Sequence, residues 1–109
     1  HLITLYNAVY TCMKVAKKVF DFEWDKGNSD KPKKHGLSLE ETEEAFFDED
    51  KVVFTDWMHS AVEQRITLLG KTRKGKLLNI TYTVRKNKIR IITARPINKK
   101  EVKLYEKSA

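Results

Sequence analysis

Four runs of β-branched and aromatic residues stand out in the second half of the chain. They lie within "DEDKVVFTDW", "EQRITLLG", "KLLNITYTV" and "KIRIITAR", each bounded by Gly, Asn, Lys or Asp, which is the pattern of successive strands. The connections over 71–76 and 85–88 are short and turn-rich, so the last three strands are expected to form an antiparallel meander. Alternate residues of a strand share a face. Leu78, Ile80, Tyr82 and Val84 therefore point one way, and Asn79, Thr81, Thr83 and Arg85 the other. Before them, Ile66 and Leu68 oppose Arg65 and Thr67. The last strand gives no clear alternation: Ile89, Ile91 and Thr93 stand against Arg90, Ile92 and Ala94, and its register stays open.

Helices announce themselves by their caps. Ser38 followed by Glu41 is a capping box, and Leu39, Thr42, Ala45 and Phe46 form one apolar stripe, which predicts a helix from Leu39 to Phe47 with Glu40, Glu43 and Glu44 on its remaining surface. Asn98 and Glu101 repeat the device after Pro96, and Val102 and Tyr105 give a short C-terminal helix its apolar edge. Asp25 can cap a helix across "KGNSDKPKKH", which Gly27 and Pro32 weaken. In "KKHGLS" one helix ends at Gly36 and the next begins at Ser38, with His35 at the corner. The expected fold is α+β, an antiparallel sheet of four to five strands with helices packed on one face and a polar opposite face.

Composition adds limits. A chain of 109 residues, 40% hydrophobic and 34% charged, forms one folded domain. The most apolar run, from Leu2 to Phe20, is interrupted by Lys14, Lys17 and Lys18 and lacks both the length of a membrane span and the order of a signal peptide. Cys12 is the only cysteine, which suits a reducing cytoplasm. The charge is unevenly placed. Residues 21–64 carry five basic and thirteen acidic groups, whereas residues 65–109 carry fourteen basic and two acidic ones. Such a basic half suits a polyanion, nucleic acid first; a merely solvated basic surface is the plainer alternative.

The ordered segments "FEWDKGN", "KHGLSLEE", "HSAVEQRITLLGKTRKGKLLNITYTVR" and "IRIITARPINKKEVKLYE" give the chain a family likeness. Over roughly residues 20–107 it resembles the BrnT-type toxins of bacterial type II toxin–antitoxin systems. The resemblance implies a fold similar to the RelE toxins and a ribonuclease activity that stops translation. It also implies neutralisation by a BrnA-like antitoxin in a hetero-oligomer, with operator DNA contacted only through that antitoxin. The family pattern begins near "FEWD", so residues 1–12 are set aside as an extension of unknown role and 13–109 as the toxin domain, with Met13 a candidate start. Many members carry an asparagine before Lys-His-Gly where this chain has Lys31 and Pro32.

Cleaving RNA without a metal requires a base for the 2′-hydroxyl, cations for the phosphorane and a proton for the leaving oxygen. The acids of residues 40–50 lie mostly on one solvated helix face and the three histidines are scattered, so neither metal nor cofactor is expected. The catalytic candidates are Arg65, Glu63, His35, Arg85 and Arg95; the RNA-binding candidates are Lys33, Lys34, Arg73, Lys74 and Arg90. Each has a plainer reading. His35 can simply end a helix, His59 with Ser60 can form a turn, and Glu63 can make a cross-strand salt bridge. Trp24 and Trp57 can belong to the core, and Cys12 is read as inert. Two rival functions remain: a non-catalytic nucleic-acid-binding module, and an interaction domain whose acidic 40–50 helix docks a basic partner.

Overall fold

The computed structural model describes residues 21–55 and 63–108; residues 1–12 with Cys12, Met13, Trp57, and His59 with Ser60 lie outside them. Five strands, β1 (Asp21–Glu23), β2 (Val52–Thr55), β3 (Ile66–Lys71), β4 (Leu77–Arg85) and β5 (Lys88–Pro96), form one sheet in the order β1-β5-β4-β3-β2. The four strands read from the sequence pair antiparallel, as expected. The fifth, β1, is too short for a periodicity signal and pairs in parallel with β5, which makes the sheet mixed.

Turn chemistry sets the β4–β5 hairpin. Arg85 pairs with Lys88, and the two residues between, Lys86 and Asn87, both have positive φ (48° and 65°). That is the backbone of a type I′ turn, whose twist matches that of the strands and for which asparagine is well suited.

The register along β4 and β5 explains the ambiguous last strand. Thr81 stands opposite Thr93, but the next residue, Tyr82, stands opposite Ile91, so Ile92 has no partner and forms a β-bulge. The extra residue reverses the alternation of β5 at that point. On the N-terminal side Ile89 and Ile91 face the core; on the other side Ala94 does, and all three are buried. Arg90, Thr93 and Arg95 then share the opposite face. Neither alternation available from the sequence could give this pattern.

The first face carries the main core. Leu68, Leu78, Ile80, Ile89, Ile91 and Ala94 pack with Leu37, Ala45 and Phe46 from the helical segment. Phe46 sits at its centre, edge-on to Phe22 of β1 and Tyr82 of β4, with ring centroids 5.0 Å away in each case. The helical segment comprises α1 (Asp30–Lys33), α2 (Leu39–Glu44) and a 3₁₀ turn over Ala45–Phe47. The predicted stripe is therefore present, tightened over its last turn. Pro32 lies in the first turn of α1, where a missing N–H costs little, and its ring is buried.

The "KKHGLS" corner is a double cap. Leu37 N–H donates to the Pro32 carbonyl and Gly36 N–H to that of Lys33, a Schellman closure with Gly36 at φ 72° and Leu37 buried below it. Ser38 and Glu41 then exchange the reciprocal bonds of a capping box, each 3.0 Å long.

The C-terminal helix α3 (Lys99–Ser108) corrects the expectation that all helices pack on one face. It lies against the second face near β2 and β3, because its capping glutamate is drawn there. Glu101 closes the predicted box with Asn98 and also accepts from Asn79 and Arg95, a cross-strand pair on that face. Further along α3, buried Tyr105 donates to Asp48 at 2.6 Å. Deleting Ile92 would remove only the unpaired residue: Thr93 would follow Ile91 opposite Thr81, with Ala94 still facing the core and Arg95 still on the second face. The expected outcome is a retained cooperative unfolding transition in a chemical denaturation curve, whereas deleting Thr93 as well would turn Ala94 outward and Arg95 towards the core and abolish that transition, since a buried unpaired guanidinium alone costs several kcal/mol.

Candidate nucleic-acid interface

Pairing and pleat fix which cations share a face. Within β3, β4 and β5 the lysines and arginines are Lys71, Arg85, Lys88, Arg90 and Arg95. By register all five stand on the second face, opposite the Leu68–Leu78–Ile80 core. Thr67, Thr81, Thr83, Thr93 and Asn79 stand with them. This is the polar face expected from the alternation of β4, and it is strongly cationic.

The five are not equally available. Arg90 is gripped by two carboxylates: Glu23 at 2.9 Å and Asp25 at 2.8 and 3.1 Å. Its side chain is only 17% exposed. The hydrogen bond from Arg90 holds the Asp25 carboxyl below its ordinary value, and the Asp25 bond in turn raises the guanidinium. Gly27 makes this possible: a Cβ there would lie 2.8 Å from an Arg90 nitrogen. Asn28 completes the arrangement. Its amide, buried, donates to the carbonyls of Glu23 and Ile91 and accepts from Asp25 N–H. It serves the Ile91 carbonyl where β1 no longer runs alongside β5. The segments "FEWDKGN" and "IRIITAR" are thus two halves of one structural joint.

Arg95 is likewise engaged, fork to fork with Glu101 at 2.9 and 2.7 Å. Burial pushes the Glu101 carboxyl up, but the bonds from Arg95, Asn98 and Asn79 outweigh it and leave the group below its ordinary value. The pairing also raises Arg95. Arg85 differs. It makes one cross-strand pair, with Glu63 at 3.0–3.1 Å, and its side chain remains 51% exposed. Arg65 is half-buried one residue before β3. Its strand pairs with β4 so that Ile66 stands opposite Tyr82, which places Glu63, Arg65 and Arg85 at the same end of the sheet. Thr83 anchors the approach to β3 by donating to the Gln64 carbonyl at 2.7 Å.

The other predicted residues stand elsewhere. Arg95 sits at the opposite end of β5 from Lys88. His35, Lys33 and Lys34 are exposed at the α1–α2 corner, which packs on the first face through Pro32 and Leu37. Lys74 is exposed in the β3–β4 turn. Arg73 borders a groove of about 500 Å³ lined by Glu40, Glu43, Glu44 and Asp48 as well as Lys71, an acidic setting poorly suited to RNA. Trp24 belongs to the structure: it packs on the core and donates to Glu43 at 2.7 Å. The sequence reading missed Lys88 and Phe54; alternation along their strands was the available signal, obscured in β5 by the bulge.

Among the described residues no group of three or more His, Cys, Asp or Glu side chains is placed to hold a metal ion, and no helix is long and apolar enough to cross a membrane. Comparison with known families finds that residues 24–101 match the family described as ribonuclease toxin, BrnT, of type II toxin–antitoxin system. A comparison with curated proteins gives no match.

The two exposed-face arginines should behave differently. Arg90→Ala leaves Glu23 and Asp25 facing each other without their cation and lowers the denaturation midpoint clearly, whereas Arg85→Ala, at an exposed pair, changes stability by no more than about 0.5 kcal/mol. Parallel urea curves check this ordering.

Proposed function

The chain belongs to the BrnT family of type II toxin–antitoxin ribonuclease toxins, and from that membership we propose that it is an endoribonuclease that cuts RNA without a metal, stops translation and is neutralised by a BrnA-like antitoxin. It acts in the cytoplasm, where its RNA substrate is made. The observation that carries the reading is the exposed Arg85–Glu63 pair at the end of the cationic face, with Glu63 two residues before Arg65.

The roles follow from chemistry. Arg85 offers a planar fork of donors suited to two phosphate oxygens, and its charge offsets the negative charge that grows on phosphorus as the 2′-oxygen attacks. Glu63 holds that fork in place before substrate arrives. Once phosphate takes over the guanidinium, Glu63 is released as a carboxylate beside the attacking hydroxyl and takes its proton as the 2′-oxygen bonds to phosphorus, while the bond to the 5′-oxygen breaks and solvent water protonates that leaving oxygen. Arg65 adds a second cation at the same end. Arg95 and Arg90 act at a distance, shaping the face while bound to their own carboxylates. His35 lies exposed just after α1 on the far side, and Lys33 and Lys34 lie with it.

Single-turnover cleavage of a defined RNA tests the assignment. Arg85→Ala and Glu63→Gln should each slow cleavage by about a hundredfold or more, the scale for loss of one electrostatic or acid–base group, with folding intact. His35→Gln should cleave at the wild-type rate per folded molecule. A His35→Gln protein without activity beside an active Arg85→Ala protein would place the chemistry at the α1–α2 corner instead. RNA retained by the wild type without any cleavage would favour the non-catalytic binding module.

A further inference from the structure

One exposed aromatic side chain on the second face has no part in the catalytic proposal. Phe54 lies on β2, the last strand in the sheet order, and is 42% exposed. Register ties it to a line of hydroxyls. Phe54 stands opposite Thr67, Thr67 opposite Thr81, and Thr81 opposite Thr93. Residues paired in this way share a face, so the four side chains form one row across four strands, about 14 Å long at the usual strand spacing. Thr93 is exposed and Thr81 half-buried, while Thr67 is nearly covered. The next row towards the hairpin holds Thr83 and Arg90, and the one after it Arg85 and Lys88.

The row thus has an aromatic ring at one end, hydroxyls along it and cations beside it. A protein-docking patch would present contiguous apolar surface. Phe54 instead has a threonine as its direct cross-strand neighbour, and it shares its face with every lysine and arginine of β3, β4 and β5. A ring beside a basic track is the composition of a surface that holds unpaired bases: the ring stacks on a base of any identity and the cations follow the backbone.

We propose that Phe54 stacks on a base of single-stranded RNA lying across the Thr67–Thr81–Thr93 row, with Arg85 and Lys88 on a neighbouring phosphate. The inference rests on the ribonuclease reading and adds to it the residue that holds the strand and the requirement that the strand be unpaired. A base stacked at Phe54 anchors one part of the RNA while Arg85 holds the scissile region, so binding at the ring positions the chain for cleavage at the Glu63–Arg85 end.

The test measures binding of a short fluorescent RNA without secondary structure, and of the same RNA in a duplex, to the full chain across a salt series. Phe54→Leu keeps an apolar side chain but removes the ring, and Phe54→Tyr keeps the ring. The expected result is affinity for the single strand lowered on the order of tenfold in Phe54→Leu, restored in Phe54→Tyr, with the salt slope unchanged because no phosphate contact is lost. Arg85→Ala should instead flatten that slope by about 0.7. Duplex RNA should bind wild type and Phe54→Leu alike. Wild-type affinity in Phe54→Leu overturns the inference while cleavage by the wild type leaves the ribonuclease reading standing. Loss of antitoxin binding in Phe54→Leu with RNA affinity intact also overturns it, making β2 a protein-docking edge. A wild type that neither binds nor cleaves RNA overturns both.

Discussion

The bulge at Ile92 determines which side chains of β5 meet the core and which meet the surface. Positions 90 and 95 are five residues apart and would point to opposite faces of a regular strand. With one unpaired residue between them, both arginines reach the second face and Ile89, Ile91 and Ala94 all reach the first. The core gains a continuous apolar wall, and Lys88, Arg90 and Arg95 come to share the surface with Thr93 among them. The adjoining Ile91 carbonyl is served by the buried Asn28 amide, so the turn after β1 is fastened beside the irregularity. From there Asp25 and Gly27 shape the grip on Arg90.

A cationic surface built this way must also be held apart when no anion is present. The protein does so with its own carboxylates: Glu23 and Asp25 on Arg90, Glu101 on Arg95, Glu63 on Arg85. Their different enclosure separates framework from interface. Arg90 is closely surrounded and Arg95 is bound through two parallel hydrogen bonds to the residue that also caps α3, so displacing either carboxylate would disturb the fold. Arg85 has a single partner on an exposed hairpin end, and a phosphate can exchange for Glu63 at little structural cost.

Much of this was legible in the chain. Period-two alternation in "KLLNITYTV" identified the polar face, because β4 is paired on both sides and regular up to the bulge. Ser38–Glu41 and Asn98–Glu101 located the starts of α2 and α3, since capping boxes are local and need no tertiary context. Three features were not legible. The bulge cannot be read from β5 alone, because Ile92 is apolar and either phase misplaces one end of the strand. The parallel pairing of β1 rests on three residues and an asparagine side chain. The placement of α3 depends on Glu101 meeting Arg95 and Asn79, contacts between segments that no periodicity reveals. For the same reason the sequence does not distinguish the arginines: their carboxylate partners, from 6 to 67 residues away, decide which of them is free to bind.

The central claim is that RNA lies on the second face of the sheet. Its most direct test is photocrosslinking of a 4-thiouridine RNA to the full chain, with the attachment sites read by mass spectrometry. The account predicts crosslinks at Phe54, at Thr93 and around the Arg85–Lys88 hairpin, and their disappearance when the antitoxin is bound. Crosslinks confined to the α1–α2 corner around Lys33, Lys34 and His35 would contradict it.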